Sequence, residues 1–102
     1  MSQEATRLRK AVTERVLHGA GQTSGDARRA AYDNKDVAEP ARALIEKVAT
    51  TAWKVTDEDF AAATKTMSDD ELFELVVAAA LGQSTRQLDA ALAALDEAEK
   101  QR

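Results

Sequence analysis

The side chains with the most chemistry to offer fall in two acidic clusters, Asp57, Glu58 and Asp59, then Asp69, Asp70, Glu71 and Glu74. Carboxylates grouped in this way can supply hard oxygen ligands, or pass protons when their environments drive their pKa values apart. A proton-transfer site for a small carboxylic acid would take its base from Glu58, Asp59 or Glu74. Lys54 or Arg86 would hold the substrate carboxylate by paired hydrogen bonds, and Trp53 would lie against it. The competing reading is structural. Both triplets occupy the first turns of expected helices, where free backbone amides favour carboxylates whatever the function. Trp53 and Tyr32 read more readily as anchors of a core or an interface than as binding residues. Glu74 stands apart, because it sits one turn into its helix between Phe73 and Leu75, where burial would raise its pKa.

Several chemistries are excluded or find no residues to carry them. There is no cysteine, so the chain has no thiol nucleophile, no disulfide and no thiolate metal site. His18 is the single histidine and sits near the end of a helix, where it would cap free carbonyls; a multi-imidazole metal site or a two-histidine relay is absent. The glycines of His18-Gly19-Ala20-Gly21-Gln22-Thr23-Ser24-Gly25 end a helix. No Gly-Lys-Ser/Thr follows them and no strand precedes them, so a phosphate cradle is not indicated. No metal and no cofactor is expected. A net charge of −4 with four aromatics argues against nucleic acid as a partner. The longest apolar run, Leu75 to Leu81, is far short of the ~20 residues a bilayer crossing needs. The first thirty residues are charged rather than signal-like, and with the absence of cysteine this fits a cytoplasmic protein without a membrane partner.

The elements that position these side chains are expected to be helices alone. Alanine fills 22 of 102 positions and there is one proline, a composition that suits closely approaching helices and offers little to a sheet. The chain reads as one domain over 1–102, with a helical leader over 1–36 and core helices over 37–99. Ala5, Leu8, Val12 and Val16 recur at helical spacing and place a first helix over Gln3 to Leu17. A short helix follows over Asp26 to Asp33, with Ala27, Ala30 and Ala31 inward. Pro40 reads as the first residue of a third, burying Ala41, Leu44, Ile45, Val48 and Ala52 and ending near Trp53. Thr56 opens a fourth, to about Thr64, with Phe60 and Ala63 inward. Ser68 and Glu71 form a capping box at the head of the last.

That last helix carries the strongest pattern. Phe73, Val77, Leu81, Leu88, Leu92 and Leu95 fall within a sector of roughly 100° at helical periodicity, and the stripe keeps its phase through Gly82. One continuous helix from Asp69 to about Glu99 is therefore preferred to two helices broken at Gly82. The segment Leu75 to Leu81 is apolar on every side, which requires it to be surrounded and points to self-association in so small a chain. Charge is uneven as well: residues 1–54 hold 10 Lys/Arg against 7 Asp/Glu, and residues 55–102 hold 4 against 11. The halves are complementary, within one chain or between chains.

The segments ALIEKVATTAWKVTDEDFAAA, MSDDELFELVVAAALG and LDAALAALDEA together resemble the AhpD-like superfamily, which includes the carboxymuconolactone decarboxylases. VLHGAG followed by ARRAA is similar to the leader of its cysteine-free members. The resemblance implies an all-α domain of five or six helices with a long C-terminal helix, associating through apolar helices into a homotrimer or homohexamer. In the peroxidase branch a Cys-x-x-Cys pair and a later histidine precede the long helix. Thr51, Lys54 and Glu58 fall at those places here, and none supplies a thiolate. A thiol peroxidase is thereby excluded. The decarboxylase branch works with acid–base groups, but its histidine has no counterpart in this chain.

Two functions follow as expectations. The first is a helical homo-oligomer acting as a binding or assembly module, with a second copy of itself, or another protein chain, as partner. The alternative is a cysteine-independent decarboxylase or isomerase for a small carboxylic acid, built on Glu58, Asp59, Glu74 and Lys54. The empty redox positions and the all-round apolar helix favour the first.

Overall fold

The computed structural model describes residues 3–101, apart from the side chain of Ala5, so the place of Ala5 on the first helix's stripe lies outside the described residues. Five α-helices follow one another: α1 Gln3–His18, α2 Gly25–Asp33, α3 Arg42–Thr50, α4 Asp57–Thr64 and α5 Asp69–Lys100. A single 3-10 turn, Ala52–Lys54, links α3 to α4, and no strand occurs among the described residues. No helix is long and apolar enough to cross a membrane.

Local chemistry explains most of the boundaries. Ser24 caps α2 by accepting from Ala27 N at 3.1 Å. Asn34 closes the helix in the left-handed conformation (φ 51°), with Asn34 N donating to Ala31 O and Lys35 N to Ala30 O. Thr56 with Asp59, and Ser68 with Glu71, form reciprocal capping boxes at the heads of α4 and α5. The third helix begins later than its sequence suggests. Pro40 lies in the preceding turn, after a cis Glu39-Pro40 bond, and Arg42 is the first helical residue. It also stops sooner: Thr51 has φ −140°, outside helical geometry, and this leaves Ala52 exposed rather than buried.

A single core gathers Ala31, Val37, Ala41, Leu44, Ile45, Ala63, Leu72, Leu75, Ala78 and Ala79. α5 runs the length of the molecule, packing most extensively on α2, then on α3, and more lightly on α1 and α4. It is continuous through Gly82. A Cβ at that position would lie 2.8 Å from the carbonyl carbon of Tyr32 and nearer still to its oxygen. Gly82 is thus the place where α5 touches the backbone at the end of α2, a close approach that only glycine permits.

The buried face of α5 is Leu72, Leu75, Ala78, Ala79 and Gly82. The stripe of Phe73, Val77, Leu81, Leu88, Leu92 and Leu95 is a different face. At ~100° per residue that stripe is centred roughly 150° away from the buried set. Phe73 is 69% exposed and Leu95 57%; Val77, Leu81 and Leu92 are half-buried. The physical reason is the intimacy of the α2–α5 contact. Small side chains let two backbones come together, so the closest packing falls on alanine and glycine and the larger side chains stand outside it. α1 behaves similarly: Leu17 is buried and Val16 half-buried, whereas Leu8 and Val12 are exposed. Phe60 of α4, also expected inward, is 40% exposed, and only Ala63 of that pair reaches the core.

Candidate functional site

The proposed catalytic residues do not meet in one place. Glu58 is exposed in the first turn of α4, and Lys54 and Trp53 are exposed on the 3-10 turn, Trp53 by 79%. Asp59 is occupied structurally. It accepts from Lys47 Nζ at 2.9 and 3.1 Å and from Thr56 N at 2.9 Å. The Lys47 hydrogen bond, then the Thr56 amide, hold its carboxyl below the usual carboxylate range. Arg86 is turned toward α2, donating from Nη1 to Tyr32 O at 2.7 Å and from Nη2 to Gln83 Oε1 at 3.2 Å. It satisfies a carbonyl at the C-terminal end of α2, where a cation is also favoured by the helix dipole. Tyr32 is half-buried, with the Arg29 guanidinium 5.6 Å from its ring centre. His18 lies 3.7 Å from Glu14, one turn back on α1.

Glu74 differs most from expectation. It accepts from Gln22 N at 2.7 Å, Thr23 N at 2.9 Å and Thr23 Oγ1 at 2.6 Å. These bonds, led by the Gln22 amide, pull its pKa below the ordinary value, and the Arg28 charge adds to them; burial acts the other way and is outweighed. The expected rise is therefore corrected to a fall. Glu74 ties the loop between α1 and α2 to α5. Gly21 makes room for it, since a Cβ there would come within 2.7 Å of Oε1.

Arg28, which sequence reasoning overlooked, completes this clamp. It is only 7% exposed and donates to Val16 O at 3.0 Å and Thr23 O at 3.3 Å, so it joins the end of α1 to the loop. No local signal sets it apart from its neighbour Arg29; what distinguishes it is the carbonyls of Val16 and Thr23, which only the fold brings to it.

Replacing Glu74 by alanine should cost about 1–2 kcal/mol, the loss expected when charge-assisted hydrogen bonds to one exposed and one part-buried amide go unmade. It also gives a pH dependence whose sign is fixed. Because the folded-state pKa is lowered, the stabilisation is complete above the unfolded value of about 4.3 and is lost as the pH falls through the folded value. Glu74→Gln should flatten the decline in melting temperature below about pH 4.5 relative to the parent; an unchanged decline would place acid sensitivity elsewhere, with Asp59 the next candidate.

A concavity of about 570 Å³ lies between the α1–α2 loop, the α2–α3 turn and the head of α5. Asp26, Asp36, Glu39 and Glu71 stand around an apolar floor of Ala27, Val37, Met67 and Leu75. Glu71 is committed to its capping box, and no group of three His, Cys, Asp or Glu poised for a metal occurs among the described residues. A second cavity, about 210 Å³, brings Glu74 beside Arg15, Val16, Ala20, Arg28, Phe73 and Val77.

The feature without an internal explanation is the outer apolar face. α1 runs antiparallel to α5: Arg9 Nη1 meets Asp89 Oδ1 at 3.2 Å near one end, and Val16 shares a cavity with Phe73 and Val77 at the other. In that orientation Leu8 and Val12 fall on the same side of the α1–α5 seam as Val77, Leu81, Leu88 and Leu95. Phe60 extends the face, sharing a groove with Phe73 and Val76. The result is an apolar strip along most of the long axis of a molecule measuring 54 × 29 × 20 Å. Comparison with known proteins finds no match to the chain, neither a family model, nor a curated protein, nor a solved structure.

Proposed function

We propose that this chain is a self-associating helical assembly module, and that the outer face of α5, flanked by α1, is its interface. The observation that carries this reading is the extent of surface left open, together with the apolar strip that runs along it. The molecule exposes 7140 Å², against about 5,600 Å² for a compact monomer of its 11.0 kDa mass. The excess of roughly 1,500 Å² exceeds the ~800 Å² that one partner contributes to a standard interface. The radius of gyration, 15.6 Å, likewise exceeds the about 13 Å of a compact domain of this length. Much of the excess lies in the second half of α5, where nearly every residue from Ser84 onward is exposed.

Two further features fit this use. The all-round apolar segment Leu75 to Leu81 is covered within the chain on its α2 and α3 side, and its opposite side opens onto the strip. The candidate acid–base residues serve as caps, clamps and surface charges, as a binding module without chemistry would have them. The resemblance to the AhpD-like superfamily belongs to the same proposal: a cysteine-free, five-helix member of cytoplasmic type, assembling as trimers or hexamers through apolar helices.

If folding is linked to assembly, the melting temperature should rise with chain concentration, because a partner that binds only the folded chain stabilises it by mass action. Differential scanning fluorimetry from about 1 to 100 times a micromolar reference should show a steady increase; a melting temperature independent of concentration would contradict the reading.

A further inference from the structure

We infer that the partner on this face is a second copy of the chain whose α5 lies antiparallel, with the two-fold axis passing beside Leu88. The inference rests on the proposal that the chain self-associates and adds the geometry of the contact.

Leu81, Leu88 and Leu95 recur every seven residues on the open side of α5. Ser84 and Ala91 stand between them, and Val77 and Ala98 continue the intermediate row. Leucine alternating with small residues at heptad spacing makes a seam for a neighbouring helix and lets the two backbones approach. A two-fold contact must map the seam onto itself. The three leucines are symmetric about the middle one alone, so an axis at Leu88 sets Leu88 against its own copy and Leu81 against the partner's Leu95. Ser84 then faces the partner's Leu92, and the small residue leaves room for the large one.

Charge selects the antiparallel sense. The tip of α5 carries Asp96, Glu97 and Glu99 against Lys100, whereas α1 carries Arg7, Arg9, Lys10 and Arg15 against Glu4 and Glu14. A parallel pair would bring two acidic tips together. The antiparallel pair sets Glu99 against the partner's Val77, beside which Arg15 lines the cavity shared with Phe73. The acidic tip of each copy thereby reaches the basic helix of the other, and the complementary halves of the sequence acquire a use between chains. The exposed arm from Ser84 to Lys100, about 25 Å long, is covered by the partner's body rather than left in water. Of the assemblies proposed above, such a pair belongs to the hexamer, which contains two-fold contacts, and not to the trimer, which has none.

The absence of cysteine makes the geometry directly testable. Leu81→Cys, Leu88→Cys and Leu95→Cys are made singly in the full chain and treated with a short bifunctional maleimide, alone and in mixtures. Antiparallel pairing predicts that the Leu88 variant cross-links to itself. The Leu81 and Leu95 variants should not cross-link alone, because like positions lie about 21 Å apart along the helix axis, but should cross-link when mixed. Self-cross-linking at all three positions would overturn this geometry in favour of parallel helices while leaving self-association intact. Absence of cross-links in a chain whose mass is a multiple of the monomer would place the interface elsewhere and also overturn it. A monomeric mass together with absent cross-links would remove the self-association reading itself.

Discussion

Gly82→Ala is expected to lower the melting temperature by about 10 °C or more, the largest effect of any single-methyl change in this chain. In an exposed helix the same substitution would stabilise by roughly 1 kcal/mol, since alanine is the better helix former. Here the added Cβ would meet the carbonyl carbon of Tyr32 at 2.8 Å, with the carbonyl oxygen nearer still. The obstacle is backbone, fixed at the end of α2 and held further by the Arg86 hydrogen bond to the same carbonyl at 2.7 Å. It cannot rotate aside as a side chain would. Relief requires α2 and α5 to separate along the most extensive contact in the molecule, and overpacking of that kind costs about 2–3 kcal/mol. Thermal unfolding followed by circular dichroism decides the matter by its sign. A rise in melting temperature would mean that Gly82 is a tolerated weak point rather than a contact.

A second expected result concerns the outer face. Leu88→Glu should weaken self-association at least about 100-fold, equivalent to about 2.7 kcal/mol, while leaving the helix content and fold of the single chain intact. Leu88 is 37% exposed and lies outside the buried core, so the fold loses little when it changes. At an interface the same residue would be enclosed, and two glutamates facing each other across a two-fold axis would be both desolvated and mutually repelled. Leu75→Glu offers the contrast: Leu75 is 5% exposed within the core, and its substitution should unfold the chain rather than dissociate it. Separating these two phenotypes by circular dichroism and by mass distinguishes an interface residue from a core residue.

These two residues also show what could be read from the sequence. Continuity of α5 through Gly82 was legible, because an apolar stripe that keeps its phase across a glycine does not arise easily across a turn. The capping boxes at Thr56 and Ser68 were legible for the same local reason: two side chains three residues apart satisfy the first free amides of a helix whatever lies beyond. Which face of α5 turns inward was not. A hydrophobicity pattern weights leucine and phenylalanine above alanine and glycine, whereas α2 selects the face where backbones come closest, marked by Ala78, Ala79 and Gly82. The pattern identifies a real stripe and leaves open which neighbour it meets.

The candidate site illustrates a different limit. Glu74 was conspicuous in sequence for sitting among apolar residues, but the direction of its pKa shift depends on Gln22 and Thr23, more than fifty positions away. Desolvation can be anticipated from adjacent residues; hydrogen bonds from a distant loop cannot. Arg86 and Asp59 were read as chemical groups because their types permit it, and the structure gives them the tasks of satisfying the end of α2 and joining α4 to Lys47 of α3.

Whether the outer face of α5 is an interface between copies is decided by the mass of the intact chain, measured by light scattering after size exclusion at micromolar and higher concentrations. The expected result is a discrete multiple of 11.0 kDa that reverts to the monomer on Leu88→Glu. A single species at 11.0 kDa throughout the concentration range would contradict it.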